Sequence, residues 1–254
     1  MSLFKINEMK IQFNYSEQEA KAIFLTLLGL DILLGIIFVL IHIVGTDIPM
    51  GPIRPMFDLD QDLSVPGWYS AIKLLAVGVV LFIASTNNQY NRYLPSSFLR
   101  VLSFVFIFFS ADEGSAIHEK ITPSAKNLQL DWLLIEGHGA WILLYLILGF
   151  PIILLSIRYF RRGWRHFRRE TVMGIGGAIV LLTGAVAFEI IGYLFFRSES
   201  MLEFYRIQVV FEEVFEMAGV SIILFATLLL ANALSYRSTP VLGIENANRS
   251  EVEI

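Results

Sequence analysis

The chain of 254 residues contains no cysteine. Without a thiol it can form no disulfide, no haem thioether link, no iron–sulfur cluster and no thiolate zinc site. Any metal ion would therefore have to be bound by oxygen atoms and by imidazole nitrogens. Charged residues are also scarce, at 17% of the sequence against about 25% in soluble domains. This scarcity argues against an ordinary soluble protein.

Apolar residues make up 56% of the sequence, and they are concentrated in long stretches. Each stretch is close to the roughly 20 residues that cross about 30 Å of hydrocarbon. The sequence therefore predicts an all-α integral membrane protein, a six-transmembrane-helix bundle with a short N-terminal segment (residues 1–21), one transmembrane domain (22–236) and a disordered polar tail (237–254). The predicted spans cover residues 22–44, 68–85, 98–118, 132–157, 171–196 and 207–236.

Two helix starts carry recognisable local signals. Ser16 and Glu19 have the spacing of a capping box in front of the first span. Pro66 suits the first turn of the second span, where a missing N–H is tolerated. Both patterns predict where a helix begins.

Basic residues are distributed unevenly between the two predicted faces. If the N-terminus is cytoplasmic, 13 lysines and arginines fall on the inner side and five on the outer side, with Lys73 inside the second span. The positive-inside rule then predicts that both termini are cytoplasmic and that the protein lies in the inner (plasma) membrane. The basic run from Arg158 to Arg169 fits a cytoplasmic loop at the bilayer surface, so the lipid bilayer is the expected partner and no nucleic acid is.

Acidic residues show the opposite distribution, with 15 of the 23 on the outer side. Several of them lie inside the ends of apolar helices, at depths of about 6 to 13 Å from the outer boundary. An isolated ionised group near a helix centre costs about 2.5–3.5 kcal/mol on insertion scales. We therefore expect these groups to be paired, and we predict an ion pair between Lys73 and Glu189. Asp31 is expected to lie outside this layer, nearer the cytoplasmic side.

Two interpretations of the acidic layer remain open. In the first, carboxylates and imidazoles from facing helices bind a divalent metal ion (Zn, Mn or Fe), as in the carboxylate proteins built on helix bundles. The candidate ligands are Glu113, His118, Glu136, His138, Glu189, Glu213 and Glu216. In the second, the same acids share protons and are neutralised by Lys73 and the outer arginines. The Glu-x-x-His motif of the carboxylate metal proteins does not occur here.

Three segments of the sequence carry a resemblance to a group of membrane proteins. They run from Phe57 to Ser70, from Ser110 to Glu119 and from Glu212 to Gly219. Together they resemble uncharacterised bacterial multi-pass membrane proteins of unknown function. The resemblance spans most of the chain and implies a membrane protein, and it implies no particular activity.

Three functions are compatible with these patterns. The first is a membrane protein with a polar, carboxylate- and histidine-rich site on the outer side, which serves binding, sensing or ion movement. The second is a membrane-embedded, metal-dependent enzyme that acts on a lipid or small molecule, with Asp112 or Glu212 as general base. The third is an accessory subunit whose acidic layer contacts another membrane protein or a second copy of the chain.

Overall fold

Helices account for nearly all of the structure, which is a computed structural model and describes residues 13, 15–45, 51–61, 63–87, 92–130, 139–196 and 199–238. No strand occurs among these residues, so the predicted all-α class is confirmed for them. The α-helices are α1 (Glu17–Phe38), α2 (Ile53–Met56), α3 (Val65–Thr86), α4 (Ser96–Ser115), α5 (Ile117–Asn127), α6 (Ala140–His166), α7 (Arg168–Leu182), α8 (Glu189–Ile191) and α9 (Leu202–Ser238). Three π-helical segments, Val39–Val44, Thr183–Phe188 and Gly192–Phe196, continue α1, α7 and α8.

Within the described ranges, five helical spans are long and apolar enough to cross a membrane, and the bent pair of α4 and α5 makes a sixth if it counts as one span. The five are Glu17–Ile43, Val65–Thr86, Ala140–His166, Arg168–Phe196 and Leu202–Tyr236. Each predicted apolar stretch overlaps one of the six. The beginning of the fourth predicted stretch, with Glu136 and His138, lies outside the described residues, as do residues 1–12 and 239–254.

The starts of α1 and α3 follow from local hydrogen bonding. The Glu19 N–H donates to the Ser16 hydroxyl at 3.1 Å, and the Ser16 N–H donates to the Glu19 carboxylate at 2.6 Å. This reciprocal arrangement confirms the predicted capping box. Pro66 lies in the first turn of α3, as predicted, and the Gly67 N–H donates to the Ser64 hydroxyl at 3.3 Å. Each helix thus satisfies donors that its first turn leaves without an intrahelical partner.

Helix α9 is the centre of the bundle, because α1, α3 and α7 all pack against it. Its closest approach is to α7. A Cβ added to Gly177 would lie 2.9 Å from the Gly219 carbonyl oxygen, and one added to Gly219 would lie 2.4 Å from the Leu181 nitrogen. In lipid, such small residues let two helix backbones meet and gain van der Waals contact. The α7–α9 interface therefore depends on these two glycines.

Helix α4 packs along α3 and is held there by side-chain hydrogen bonds. The Ser103 hydroxyl donates to the Gly78 carbonyl at 2.7 Å, and the Ser110 hydroxyl donates to the Ala71 carbonyl at 2.8 Å. These bonds satisfy serine hydroxyls that would otherwise be costly in an apolar setting. They fix α4 antiparallel to α3.

The third predicted span is broken at Ala116, where the chain turns by 76° between α4 and α5. Ala116 has left-handed backbone angles, with φ 51° and ψ 47°, a conformation that costs about 1 kcal/mol or more in a residue other than glycine. Asp112 and Ser115 of α4 therefore do not share one helical face with Glu119. Glu119 belongs to α5, which runs in a different direction.

The largest apolar cluster fills the half of the bundle that contains the C-terminal part of α9. Its buried members come from α3, from α4 and the turn before it, from the α6–α7 junction and from α9: Val77, Leu81, Ala84, Leu94, Phe98, Leu99, Phe167, Ile223, Leu224 and Leu234. Close packing of this kind leaves no room for a chain of water molecules. The apolar core therefore closes this half of the bundle.

We expect Gly177→Ala to destabilise the protein by about 1–3 kcal/mol, because the added methyl group meets the backbone of α9 rather than a movable side chain. Gly176→Ala is the matched control, since a Cβ there meets nothing within 4 Å. The control should be neutral or slightly stabilising, because alanine is the better helix former. Thermal unfolding in detergent measures both. Equal melting temperatures for the two variants would contradict the proposed contact.

Candidate functional site

A buried ion pair joins three helices at the middle of the bundle. The Lys73 ammonium group on α3 donates to the Asp31 carboxylate on α1 at 2.6 Å. It also donates to the Met217 carbonyl at 2.9 Å and to the Ser221 hydroxyl at 3.3 Å, both on α9. The Ser221 hydroxyl in turn donates to the other Asp31 oxygen at 2.7 Å. Lys73 is 2% exposed and Asp31 is fully buried, so this cluster is satisfied without solvent.

Tyr69 and Glu113 border this ion pair. The Tyr69 ring lies 4.3 Å from the Lys73 nitrogen, in cation–π geometry. The Tyr69 hydroxyl donates to the Leu27 carbonyl at 3.0 Å and also lies beside the Asp31 carboxylate. Glu113, on α4, interacts electrostatically with Lys73. A second acidic group thus faces the lysine from the side of α4.

The partner of Lys73 differs from the sequence-based prediction, which paired it with Glu189. The reason is the depth of Asp31. Helix α1 begins at Glu17 rather than near residue 22, so Asp31 falls near the middle of the span Glu17–Ile43 and reaches the level of Lys73. Opposite charges at one depth in lipid pair with each other because either alone is costly.

Asp112 and His118 hold the bend between α4 and α5. The Asp112 carboxylate accepts the His118 N–H at 2.8 Å, and the same oxygen lies 3.3 Å from the His118 Nδ1. The His118 ring contacts Trp141 of α6 edge-on, with ring centroids 5.5 Å apart. The Tyr145 hydroxyl lies beside Asp112 without completing a hydrogen bond. These residues connect the bend to α6.

A pair of carboxyl groups lies between α8 and α9. The Glu189 carboxyl group lies beside that of Glu212, close enough for the two to interact electrostatically. Two carboxyl groups this close repel each other when both are ionised, and sharing one proton removes that repulsion. The Gln208 amide nitrogen donates to the Phe188 carbonyl at 3.0 Å and also to the Glu212 carboxyl group. The Gln208 amide oxygen is buried and accepts no hydrogen bond from the described residues.

The backbone around Glu189 is irregular. The three-residue helix α8, which begins at Glu189, is preceded by the π-helical segment Thr183–Phe188 and followed by Gly192–Phe196. Single π-helical turns of this kind are frequent at functional sites. The two helices touch on both sides of the pair, because a Cβ on Gly184 would lie 2.6 Å from the Glu216 side chain and one on Gly192 would lie 2.6 Å from the Gln208 oxygen. The carboxyl pair therefore lies where the two helices are in close contact.

The loop before α3 covers the same end of the bundle. Its Leu59 side chain is buried against Phe38, Val209 and Met217. The Tyr205 hydroxyl on α9 donates to the Asp60 carboxylate at 2.7 Å, and Asp60 also interacts electrostatically with Glu212. Asp60 therefore links the surface loop to the carboxyl pair.

The predicted metal ligands are distributed over separate clusters. Glu189 lies in the carboxyl pair, Glu216 packs near it against α7, Glu113 lies by the ion pair and His118 belongs to the bend. Glu213 is half-buried on α9. Among the described residues, no group of three or more histidines and acids could hold a metal ion. The metal hypothesis is not supported for this part of the chain; Glu136 and His138 lie outside it.

Sequence reasoning missed three contributors to these clusters. Ser221 and the Met217 carbonyl complete the ion pair, and Gln208 completes the carboxyl pair. Gln208 did carry a usable signal, because it stands four residues before Glu212 and so shares its helical face. Ser221 is a small hydroxyl in an apolar run, and nothing in its local sequence distinguishes it from a serine that bonds its own helix.

The family model of a domain of unknown function, DUF8692, matches residues 23–231. The chain belongs to this family. The matched range contains the ion pair, the bend and the carboxyl pair. No curated protein and no solved structure matches the chain.

We expect Lys73→Met to destabilise the protein by about 3–5 kcal/mol, because it leaves the Asp31 carboxylate buried without its charge partner. Adding Asp31→Asn should restore part of the loss, since the pair is coupled. The control double variant combines Lys73→Met with Glu189→Gln and should show no such recovery. Unfolding in detergent measures all four proteins. Recovery with Glu189→Gln but not with Asp31→Asn would contradict the observed pairing.

Proposed function

We propose that this protein is a multi-pass protein of the bacterial inner (plasma) membrane that binds protons at the Glu189–Glu212 pair and senses acidity on the extracytoplasmic side. The close approach of these two carboxyl groups, beside a π-helical break in the backbone, is the observation that carries the proposal. When a proton shared by the pair leaves, two neighbouring carboxylates repel each other. Helix α8 would then move away from α9, so the pair couples proton binding to helix packing.

The irregular backbone supports this coupling. A regular helix resists displacement of one turn, whereas α8 is only three residues long and lies between two π-helical segments. The segment can therefore shift without breaking a long ladder of hydrogen bonds. A sensor that switches between two conformations needs a segment that can move in this way. Asp60 from the loop also interacts electrostatically with Glu212, and Glu216 stands one turn further along α9.

Proton binding from one side is favoured over ion movement across the membrane. Among the described residues, the charged cluster of α1, α3 and α9 ends at Asp31 and Lys73, and the half of the bundle beyond it holds the apolar core with uncharged buried side chains such as Ser85 and Ser103. An ion pathway would need charged groups or a continuous path of water in that half as well. A sensor needs access from one side alone.

A small cation is the second ligand with an observation in its favour, since the buried Gln208 amide oxygen accepts no hydrogen bond from the described residues. Zinc, manganese or iron(II) would have to displace a proton shared by Glu189 and Glu212.

The two candidate general bases of the enzyme hypothesis are already engaged. Asp112 accepts a hydrogen bond from the His118 N–H at the bend, and Glu212 accepts one from Gln208 and lies beside Glu189.

The orientation generates a prediction of its own. Because basic residues favour the inner face by 13 to five, single cysteines introduced at Arg162 and at Asp58 should be labelled from opposite sides. The absence of native cysteine makes these labels unambiguous. In intact cells, a membrane-impermeant maleimide should react at position 58 and not at position 162. Reaction at position 162 alone would place the carboxyl pair on the cytoplasmic side.

The sensing proposal predicts a protonated carboxyl group at neutral pH. Infrared difference spectra of the protein in lipid vesicles should show its C=O band, and Glu212→Gln or Glu189→Gln should abolish it. Glu203→Gln is the matched control, because Glu203 is an exposed acid of the same helix. The control should keep the band. When the pH is raised, the C=O band of the wild-type protein should disappear. Proteolysis or hydrogen exchange near α8 should increase over the same pH range.

Two results would overturn this proposal. The first is a wild-type spectrum in which all carboxyl groups are ionised at neutral pH. The second is proton flux through reconstituted vesicles that Glu212→Gln removes, which would indicate transport. If added zinc, manganese or iron(II) raises the melting temperature and removes the C=O band at constant pH, the ligand is a metal ion.

A further inference from the structure

The last turns of α6 line a concavity with a volume of about 560 Å³ on the outside of the bundle. Four arginines and three apolar residues line it: Leu154, Leu155, Ile157, Arg158, Arg161, Arg162 and Arg165. All seven side chains are exposed. The concavity is remote from the ion pair and the carboxyl pair, and it plays no part in the proposed sensing.

The spacing along α6 places first the apolar residues and then the basic residues on the same helical face. Arg158, Arg161, Arg162 and Arg165 follow the i, i+3, i+4, i+7 pattern of a single helical face. Leu154 and Leu155 stand one turn earlier on the same face. Moving along α6 toward its C-terminus, the surface thus changes from hydrocarbon-like to cationic within two turns. A phospholipid changes in the same order from acyl chain to phosphate.

None of the four arginines has an acidic partner among the described residues. Arg158 donates to the Tyr159 hydroxyl at 2.5 Å, which leaves Arg161, Arg162 and Arg165 available for an anion. The neighbouring arginines differ. Arg169 is paired with Glu17 at 2.6 Å, and Arg168 lies over the Trp164 ring at 5.6 Å. Like charges at this spacing repel one another, so a bound anion would stabilise the three arginines.

The surroundings indicate which anion this is. Trp164 is 46% exposed on the same helix, and half-exposed tryptophans are typical of the headgroup level of a bilayer. Arginine binds phosphate oxygens through two parallel hydrogen bonds, and Leu155, 74% exposed, offers an apolar surface to an acyl chain. We infer that this concavity is a binding site for one anionic phospholipid. Its phosphate is bound by Arg161, Arg162 and Arg165, and its acyl chains lie along Leu154 and Leu155.

The test compares lipids that stay bound to the full chain after extraction into detergent. The protein is reconstituted in vesicles of phosphatidylglycerol and phosphatidylcholine, extracted, and analysed by native mass spectrometry. Wild type should retain phosphatidylglycerol in preference to phosphatidylcholine. Each arginine near an anionic surface contributes about fivefold in affinity, so replacing Arg161, Arg162 and Arg165 by Gln should weaken retention about a hundredfold.

Two further variants distinguish lipid binding at this site from a general attraction between basic residues and anionic lipids. Arg169→Gln removes a paired charge close by and should leave retention unchanged. The triple replacement of Arg161, Arg162 and Arg165 by Lys keeps the charge but loses the two-pronged bonds. It should lower retention clearly while keeping some preference for phosphatidylglycerol. Because all these positions are exposed, the melting temperature in detergent should change little. If the triple variants do not fold, the single variant Arg162→Gln replaces them in the lipid-retention experiment.

Several outcomes would overturn the inference. One is equal retention of the two lipids by wild type. Another is unchanged retention of phosphatidylglycerol by both the triple Gln variant and Arg162→Gln. A third is displacement of the lipid by glycerol phosphate, which would assign the site to a soluble phosphate rather than to a lipid.

Discussion

The ion pair between Lys73 and Asp31 is the interaction on which the rest of the bundle depends. A lone charge at this depth would be costly in lipid, and the cost is offset only because Met217 and Ser221 supply the remaining hydrogen bonds. The requirement for all four groups fixes α1, α3 and α9 relative to one another. The glycine contacts between α7 and α9 then position α8, and with it the carboxyl pair.

The helices were predictable from the sequence because each apolar run is long enough to cross a bilayer and its backbone must be satisfied internally. The capping box of α1 and Pro66 of α3 were also readable from local chemistry. The bend at Ala116 was not. It depends on the Asp112 carboxylate accepting the His118 N–H six residues later, and no periodicity encodes that contact.

The polar clusters were predictable as a layer but not as pairs. Depth along a helix brings charged residues to one level, and an error of about five residues at the start of α1 corresponds to about 7.5 Å. That error was enough to separate Asp31 from Lys73. Rotation about each helix axis is a second unknown, and it decided that Glu189 meets Glu212 instead of Lys73. Both quantities come from packing against other helices, which the local sequence does not specify.

The position of α9 after α1 and α3 in the chain has a consequence for biogenesis. Helices emerge from the ribosome in chain order, so Asp31 and Lys73 enter the bilayer before the segment that carries Met217 and Ser221 exists. During that interval the lysine and the aspartate have only each other, or a chaperone, to neutralise them. The contact between Asp31 of α1 and Lys73 of α3 can therefore form first, and α9 then completes the site.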